Sequence, residues 1–267
     1  MEKLSVRKCV VVSVGFYPGN ARQALVRAGP VGGDVVFLVN SEPRTVPESV
    51  LRGGGRKQPI EAMGGVLRRF VNELDSGIGV VDVWLDPRAG IANNVAWLRS
   101  LVEGYAPPCR VIIGMAGGFR WLSVALMFLA LALSSVGRYV GVAVDSVFVM
   151  LEEESPSVRA LFRNVEERVI PWPVTPRLAD LSLDEYRVLR LIGLGKHRAK
   201  DIHGELNRDC KRPGGCVSMA TVQRILVKLV KKGLVDYEKR GGKAHYYELK
   251  PLGLMLVGKV EIQRGES

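Results

Sequence analysis

The chain has 267 residues, 47% hydrophobic and 24% charged, the balance of a globular protein with a sizeable core in one to three domains. Its 38 Lys and Arg outnumber 27 Asp and Glu, and unevenly: residues 182–267 carry 18 basic and 10 acidic side chains, residues 1–181 carry 20 and 17. A basic C-terminal third points to a polyanionic partner, and four cysteines are too few for a secreted scaffold knit by disulfides.

The N-terminal stretch "MEKLSVRKCVVVSVGFYPGN" is basic and then apolar, but its apolar part is short and β-branched and lacks a small-residue cleavage site. It reads as a strand (9–15), and the expected location is cytoplasmic. A helical pattern (20–29) follows, then a strand (34–40), a helix that tolerates Gly64 and Gly65 (60–74), and a third strand (80–86). A helix ending in glycine (91–104), a fourth strand "RVIIGMA" (110–116) and a long apolar helix come next. The apolar run from Trp121 to Val136 is shorter than the roughly 20 residues that span a bilayer, and Arg120 and Arg138 flank it. It predicts a buried helix and no membrane partner. Residues 139–151 add one or two strands. Apolar strands alternating with helices predict a Rossmann-like, doubly wound, mostly parallel sheet over residues 1–167.

Residues 168–181, with Pro171, Pro173 and Pro176, read as a semi-rigid linker that opens on a last short strand. Ser182 and Glu185 form a capping-box pattern at the head of a helix (182–195). A short helix (199–210), a third helix (218–235) and a hairpin (236–249) complete a winged helix-turn-helix within residues 182–267. The segment 251–262 is a closing strand or helix, apolar enough for a dimer contact.

Two functional regions emerge. Ligands of doubly wound sheets bind beyond the carboxyl ends of the strands, where strand order reverses. Two glycine-containing loops meet that description, "GFYPGNARQAL" (15–25) after the first strand and "AGGFRW" (116–121) after the fourth. Neither is a GxGxxG fingerprint, and no P-loop motif is present, so dinucleotide-cofactor and P-loop readings are weak. Gly117-Gly118 ahead of Arg120 at a helix start suits an anion, because unpaired N–H groups face it there. Close packing of the glycines, with Arg120 paired to Asp145 or Asp86, is the alternative. In the third helix, Ser218 is the N-cap and Val222, Ile225, Leu226, Leu229 and Leu234 form the buried stripe. Met219, Thr221, Gln223, Arg224, Lys228 and Lys231 are left towards solvent or DNA, with Ser218 counted among the DNA contacts, and Lys239, Arg240 and Lys243 on the wing tip suit its phosphates. Cys210 and Cys216 sit in an insertion before this helix. No second pair completes a metal site, which leaves two ordinary thiols or a disulfide closing a small loop. His197, His203 and His245 are scattered, and no nucleophile–base pattern or cofactor site stands out.

The first strand with "GFYPGN", the segment "GMAGGFRWLSVAL" and a C-terminal winged helix resemble the CRISPR-associated Rossmann-fold (CARF) transcriptional regulators of archaea. The best motif is "GGFR" at 117–120, where that family has Gly-Gly-(Met or Phe)-(Arg or Lys) after its fourth strand. The insertion 208–216 and the Gly-rich "RGGGRK" (52–57) depart from the pattern. The resemblance implies a homodimer that senses a cyclic oligoadenylate, most often cyclic tetra-adenylate, and binds CRISPR-locus promoter DNA. It places Gly15, Phe16, Tyr17, Pro18, Gly19, Asn20, Gly117, Gly118, Phe119 and Arg120 on the ligand. The other readings are a ring nuclease that cleaves its cyclic ligand, and a DNA-binding structural component without one.

Overall fold

The structure is a computed structural model; it describes residues 6–46, 58–105, 107–151, 169–172, 175–208, 210, 216–240 and 244–258. Six strands form one sheet: β1 (Arg7–Ser13), β2 (Val35–Ser41), β3 (Gly79–Leu85), β4 (Cys109–Met115), β5 (Val142–Met150) and β6 (Val169–Pro171). Their order is β3-β2-β1-β4-β5-β6. The first five are parallel, and β6 runs antiparallel to β5. Residues 139–151 therefore supply one strand, not two, preceded by a 3-10 turn at Gly137–Tyr139.

The strands alternate between two apolar layers. Val10, Val12, Val36 and Leu38 face α1 (Pro18–Ala28) and α2, whose π-helical first part (Glu61–Leu67) runs into a regular part (Arg68–Leu74). Cys9, Val11, Phe37, Val39, Val111 and Ile113 face α3 (Gly90–Tyr105) and α4 (Arg120–Val136). Each fully buried Val, Leu or Ile contributes about 1.5–3 kcal/mol, so these layers dominate the stability. By length and composition alone, residues 120–139 pass as a membrane span. In the fold they are a core helix, with Leu122, Leu126, Leu129 and Leu133 buried against the sheet. Strand order reverses between β1 and β4, so α1 and α4 start on opposite faces of the same sheet edge.

The remaining elements are α5 (Leu183–Gly193), α6 (Ala199–Leu206), α7 (Met219–Lys231), the antiparallel hairpin β7 (Val235–Arg240) and β8 (Ala244–Leu249), and α8 (Pro251–Val257). The capping box at α5 is present: the Ser182 N–H donates to Glu185 Oε2 (2.8 Å) and the Glu185 N–H to Ser182 Oγ (3.2 Å). The segment 251–262 is helical where it is described, and its apolar side is used within the chain. Met255, Leu256 and Val257 are buried where α8 packs on α3 and α4, which leaves that side unavailable for a second copy.

Two sets of hydrogen bonds tie the C-terminal elements to the sheet. The Pro-rich stretch is fastened to α4, with the Leu178 and Ala179 N–H groups donating to Ser135 Oγ (2.7 and 3.2 Å). The Leu181 carbonyl accepts from Arg138 and from the Tyr139 hydroxyl. Deeper, the Arg99 guanidinium is fully buried and donates to the Glu103 carboxylate, the Met255 carbonyl (3.0 Å) and the Tyr186 hydroxyl (2.9 Å). One arginine of α3 thus holds both α5 and α8.

Cys210 and Cys216 are joined in a disulfide, one of the two readings that the sequence leaves open. Six residues apart in sequence, they lie at a Cα–Cα distance of 5.7 Å, within bonding reach. Cys9 and Cys109 are buried free thiols on neighbouring strands. The hydrogen bond with Cys109, together with burial, raises the Cys9 thiol above its ordinary range. The loop 52–57 lies outside the described residues.

Candidate functional site

The two glycine loops lie side by side at the β1/β4 edge. Ser13 Oγ accepts from the buried Ala116 N–H (2.9 Å), which joins the two strand ends. Beyond it the backbones nearly touch: a Cβ on Gly15 would stand 2.7 Å from the Gly118 nitrogen. Gly117 (φ 130°) and Gly118 (φ 94°) hold left-handed backbone that side chains rarely adopt. All three glycines are therefore required by the contact between the loops, whatever binds there. Phe16 and Phe119 close over this contact as an edge-to-face pair with centroids 5.5 Å apart.

What faces solvent here is cationic. Neither α1 (N-cap Tyr17) nor α4 (N-cap Phe119) has a side-chain cap or an acidic residue in its first turn. Arg120 begins α4 and is exposed. A cation at a helix N-terminus is disfavoured by about 0.3–1 kcal/mol unless an anion offsets it. Among the described residues no carboxylate does so. Asp86, one candidate partner, is bound by Arg88 (2.8 Å), whose hydrogen bonds hold its carboxyl below the ordinary carboxylate range, and no ion pair joins Arg120 to Asp145. Of the other predicted ligand residues, Tyr17 and Gly19 are exposed, and Phe16, Pro18, Gly117, Gly118 and Phe119 are half-buried. Gly15 and Asn20 are buried.

The second region is built on α7. Val222, Ile225, Leu226 and Leu229 are buried against α5 and α6, and Leu234 is buried just beyond the helix. Ser218 caps the helix, accepting from the Thr221 N–H (3.1 Å). Gln223, Arg224 and Lys228 are exposed on the opposite side, with Thr221 half-buried beside them. The structure adds Ala220 and Val227, both exposed between those polar groups. In a sequence, apolar spacing signals core, so nothing there marks these two residues as surface. Lys232 is set apart from the other lysines: it donates to the Asp180 carbonyl (2.6 Å) and to Glu185 Oε2 (2.9 Å), fastening α7 to the cap of α5. Burial raises the Glu185 carboxyl, but hydrogen bonds from Lys232 and the Ser182 N–H outweigh it and leave it below its ordinary range.

Entry into α7 is fixed by one side chain. Asn207 Nδ2 donates to the Val217 carbonyl (2.9 Å) and the Val217 N–H donates to Asn207 Oδ1 (2.8 Å). This amide bridge joins the end of α6 to the residue before the N-cap of α7, and Cys210 and Cys216, between the two, are disulfide-bonded. The hairpin is held at its root by the Tyr247 N–H donating to the His197 carbonyl (2.9 Å) and by the Lys250 N–H donating to the Leu234 carbonyl (2.9 Å). Lys239 projects from β7 into solvent. Arg240 ends that strand, and Lys243 lies outside the described residues. His245 stacks against Tyr237 (4.9 Å) on the same face.

No protein-family model and no curated protein matches the chain. A solved structure titled "The complex structure of hsRosR-S4" is similar to it at 25% identity, over 30% of this chain and 67% of that one, with a TM-score of 0.27. A likeness of that size carries nothing about fold or function.

Proposed function

We propose that the chain is a ligand-responsive, DNA-binding regulator. Its α5–α8 region acts as a winged helix-turn-helix, and its β1/β4 edge senses a nucleotide second messenger. The observation that carries the DNA reading is α7 itself: a capped helix with one buried apolar side and a free side bearing Gln223, Arg224 and Lys228, beside a hairpin whose first strand ends in Lys239 and Arg240. A recognition helix places its N-terminal residues against base edges and leaves later cations for phosphates. The ligand reading rests on Arg120, an exposed cation without a partner among the described residues, at an uncapped helix N-terminus beside a second one. With the resemblance to CARF regulators, it points to a cyclic oligoadenylate, most naturally cyclic tetra-adenylate, held between two copies at a CRISPR locus. No cofactor and no catalytic group is assigned.

Replacing Lys239, Arg240 and Lys243 together by alanine is expected to weaken binding to all duplex sequences alike and to lower the salt slope by about one for each phosphate no longer neutralised. An unchanged affinity and slope removes the wing from the interface. Changing Thr221 or Gln223 should instead alter sequence preference. The homodimer reading is supported by α4, where Val124 is exposed and Trp121, Met127 and Phe128 are half-buried beside Arg120. A two-fold ligand and an isologous contact share one axis. Light scattering is expected to give a dimer at micromolar concentration, and Val124→Asp with Phe128→Asp a monomer with reduced oligoadenylate affinity. A wild-type monomer overturns the dimer.

A further inference from the structure

α7 carries no acidic residue, and its covered side is fixed by Val222, Ile225, Leu226 and Leu229. The line directly opposite, at helical spacing, runs through Ala220, Arg224, Val227 and Lys231, all exposed. Two of these side chains are apolar, and Val227 is 52% exposed. A lone exposed valine is ordinary on a protein surface. Its company here is particular. Arg224, Lys228 and Lys231 all stand within one turn of it, so a protein partner covering Val227 would have to bury three cations as well. A polyanion would meet no such cost.

Arg224 does not screen Val227. Its side chain lies back along the first turn, where Nε donates to the Ala220 carbonyl (3.4 Å) and a terminal nitrogen donates to the Thr221 hydroxyl (3.3 Å). That hydroxyl is in turn hydrogen-bonded to the N-cap Ser218 (2.9 Å). The apolar groups are left open on the side of α7 that the DNA reading turns towards the bases. In the major groove the apolar group that tells one base from another is the thymine 5-methyl; the polar edges offer hydrogen-bond donors and acceptors. Alanine and valine answer none of those, and a polar edge covered by them loses its water without a partner in return. A methyl is covered at no such cost. Ala220 and Val227 are seven residues apart, so they stand about 10 Å apart along the helix, or about three base-pair steps.

We propose that Ala220 and Val227 read thymine methyls, so that the operator half-site carries two thymines, on either strand, no more than about three base-pair steps apart. The inference rests on the reading of α7 as a DNA-recognition helix and names what that helix selects.

The test begins with selection of the full chain's preferred duplex from a randomised pool, with and without cyclic tetra-adenylate. The selected duplex is then titrated beside copies in which single thymines are replaced by deoxyuridine, which removes the methyl and keeps the base pair. Wild type is expected to select the thymine pair and to lose about fourfold in affinity for each contacted methyl removed, the worth of one buried carbon. Val227→Ser is expected to bind the thymine and uracil forms of one position alike, and Ala220→Ser those of the other. Both residues are exposed and serine ranks beside valine in a helix, so the melting temperatures are expected to stay near wild type. A selected duplex without the thymine pair, uracil copies bound as tightly as the parent, or variants that keep the wild-type preference overturns the methyl reading. Salt-sensitive binding to every duplex alike overturns it too, because α7 then meets only the backbone. In each of these cases DNA binding itself stands. A chain that binds no duplex fails at the DNA reading, and the methyl contacts fall with it.

Discussion

Replacing Arg99 by alanine is expected to lower the melting temperature by roughly 10 °C and to split one calorimetric transition into two, the C-terminal elements unfolding first. Among the described residues Arg99 is the largest fully buried side chain, and its guanidinium serves three acceptors on three elements: Glu103 on α3, the Tyr186 hydroxyl on α5 and the Met255 carbonyl on α8. Truncation leaves a cavity, an unpaired hydroxyl, a buried carbonyl and a carboxylate only 19% exposed. Removing one partner of a buried ion pair costs about 3–5 kcal/mol, and each kcal/mol moves the midpoint of a chain this size by about 2–4 °C. Arg99→Met fills the space and is expected to lose roughly half as much, since Glu103 can still turn to water. Arg99→Lys should recover little, because one ammonium cannot reach three acceptors fixed in a plane. A single transition lowered by less than about 2 °C would show that apolar packing of α8 alone holds the junction.

Replacing Arg120 by alanine is expected to reduce oligoadenylate affinity by about 10- to 100-fold while leaving the melting temperature near wild type. A charge-assisted hydrogen bond is worth roughly 1.5–3 kcal/mol, and lysine should restore only part of it because it lacks the planar fork. Folding should be indifferent: Arg120 is exposed, has no ion-pair partner among the described residues, and opposes the helix dipole where it stands. Titrations and melts of the same variants decide the question. A destabilised protein with native affinity would make Arg120 a structural residue. The two predictions bracket one path, since α4 carries Arg120 at its first turn and, at Ser135, the bonds that hold the segment leading into α5. Ligand-driven movement of α4 would reach α7 through that segment and through the Arg99 contacts.

The alternation of apolar strands and helices was legible in the sequence, because parallel strands covered on both faces must be apolar throughout while their crossovers need helical spacing. The same holds for the capping box at Ser182 and the buried stripe of α7, since both are local patterns set by the helical repeat. The boundary errors were also local, as where α6 stops at Leu206 because Asn207 turns back to bridge Val217. Tertiary structure decided what depends on residues far apart in the chain. Which glycines are fixed by packing follows from Gly15 meeting Gly118 across more than 100 residues. That the apolar side of α8 is spent within the chain follows from Arg99 reaching Met255. The pairing of Cys210 with Cys216 shows only in their Cα–Cα distance of 5.7 Å, which spacing in the sequence leaves open. Asn40 looks like any strand-end asparagine until the fold buries it, with Oδ1 accepting from the Ser41 N–H and Nδ2 left without a partner. Periodicity reports which side of an element is covered, but only the assembled sheet shows what covers it and which polar groups are left waiting.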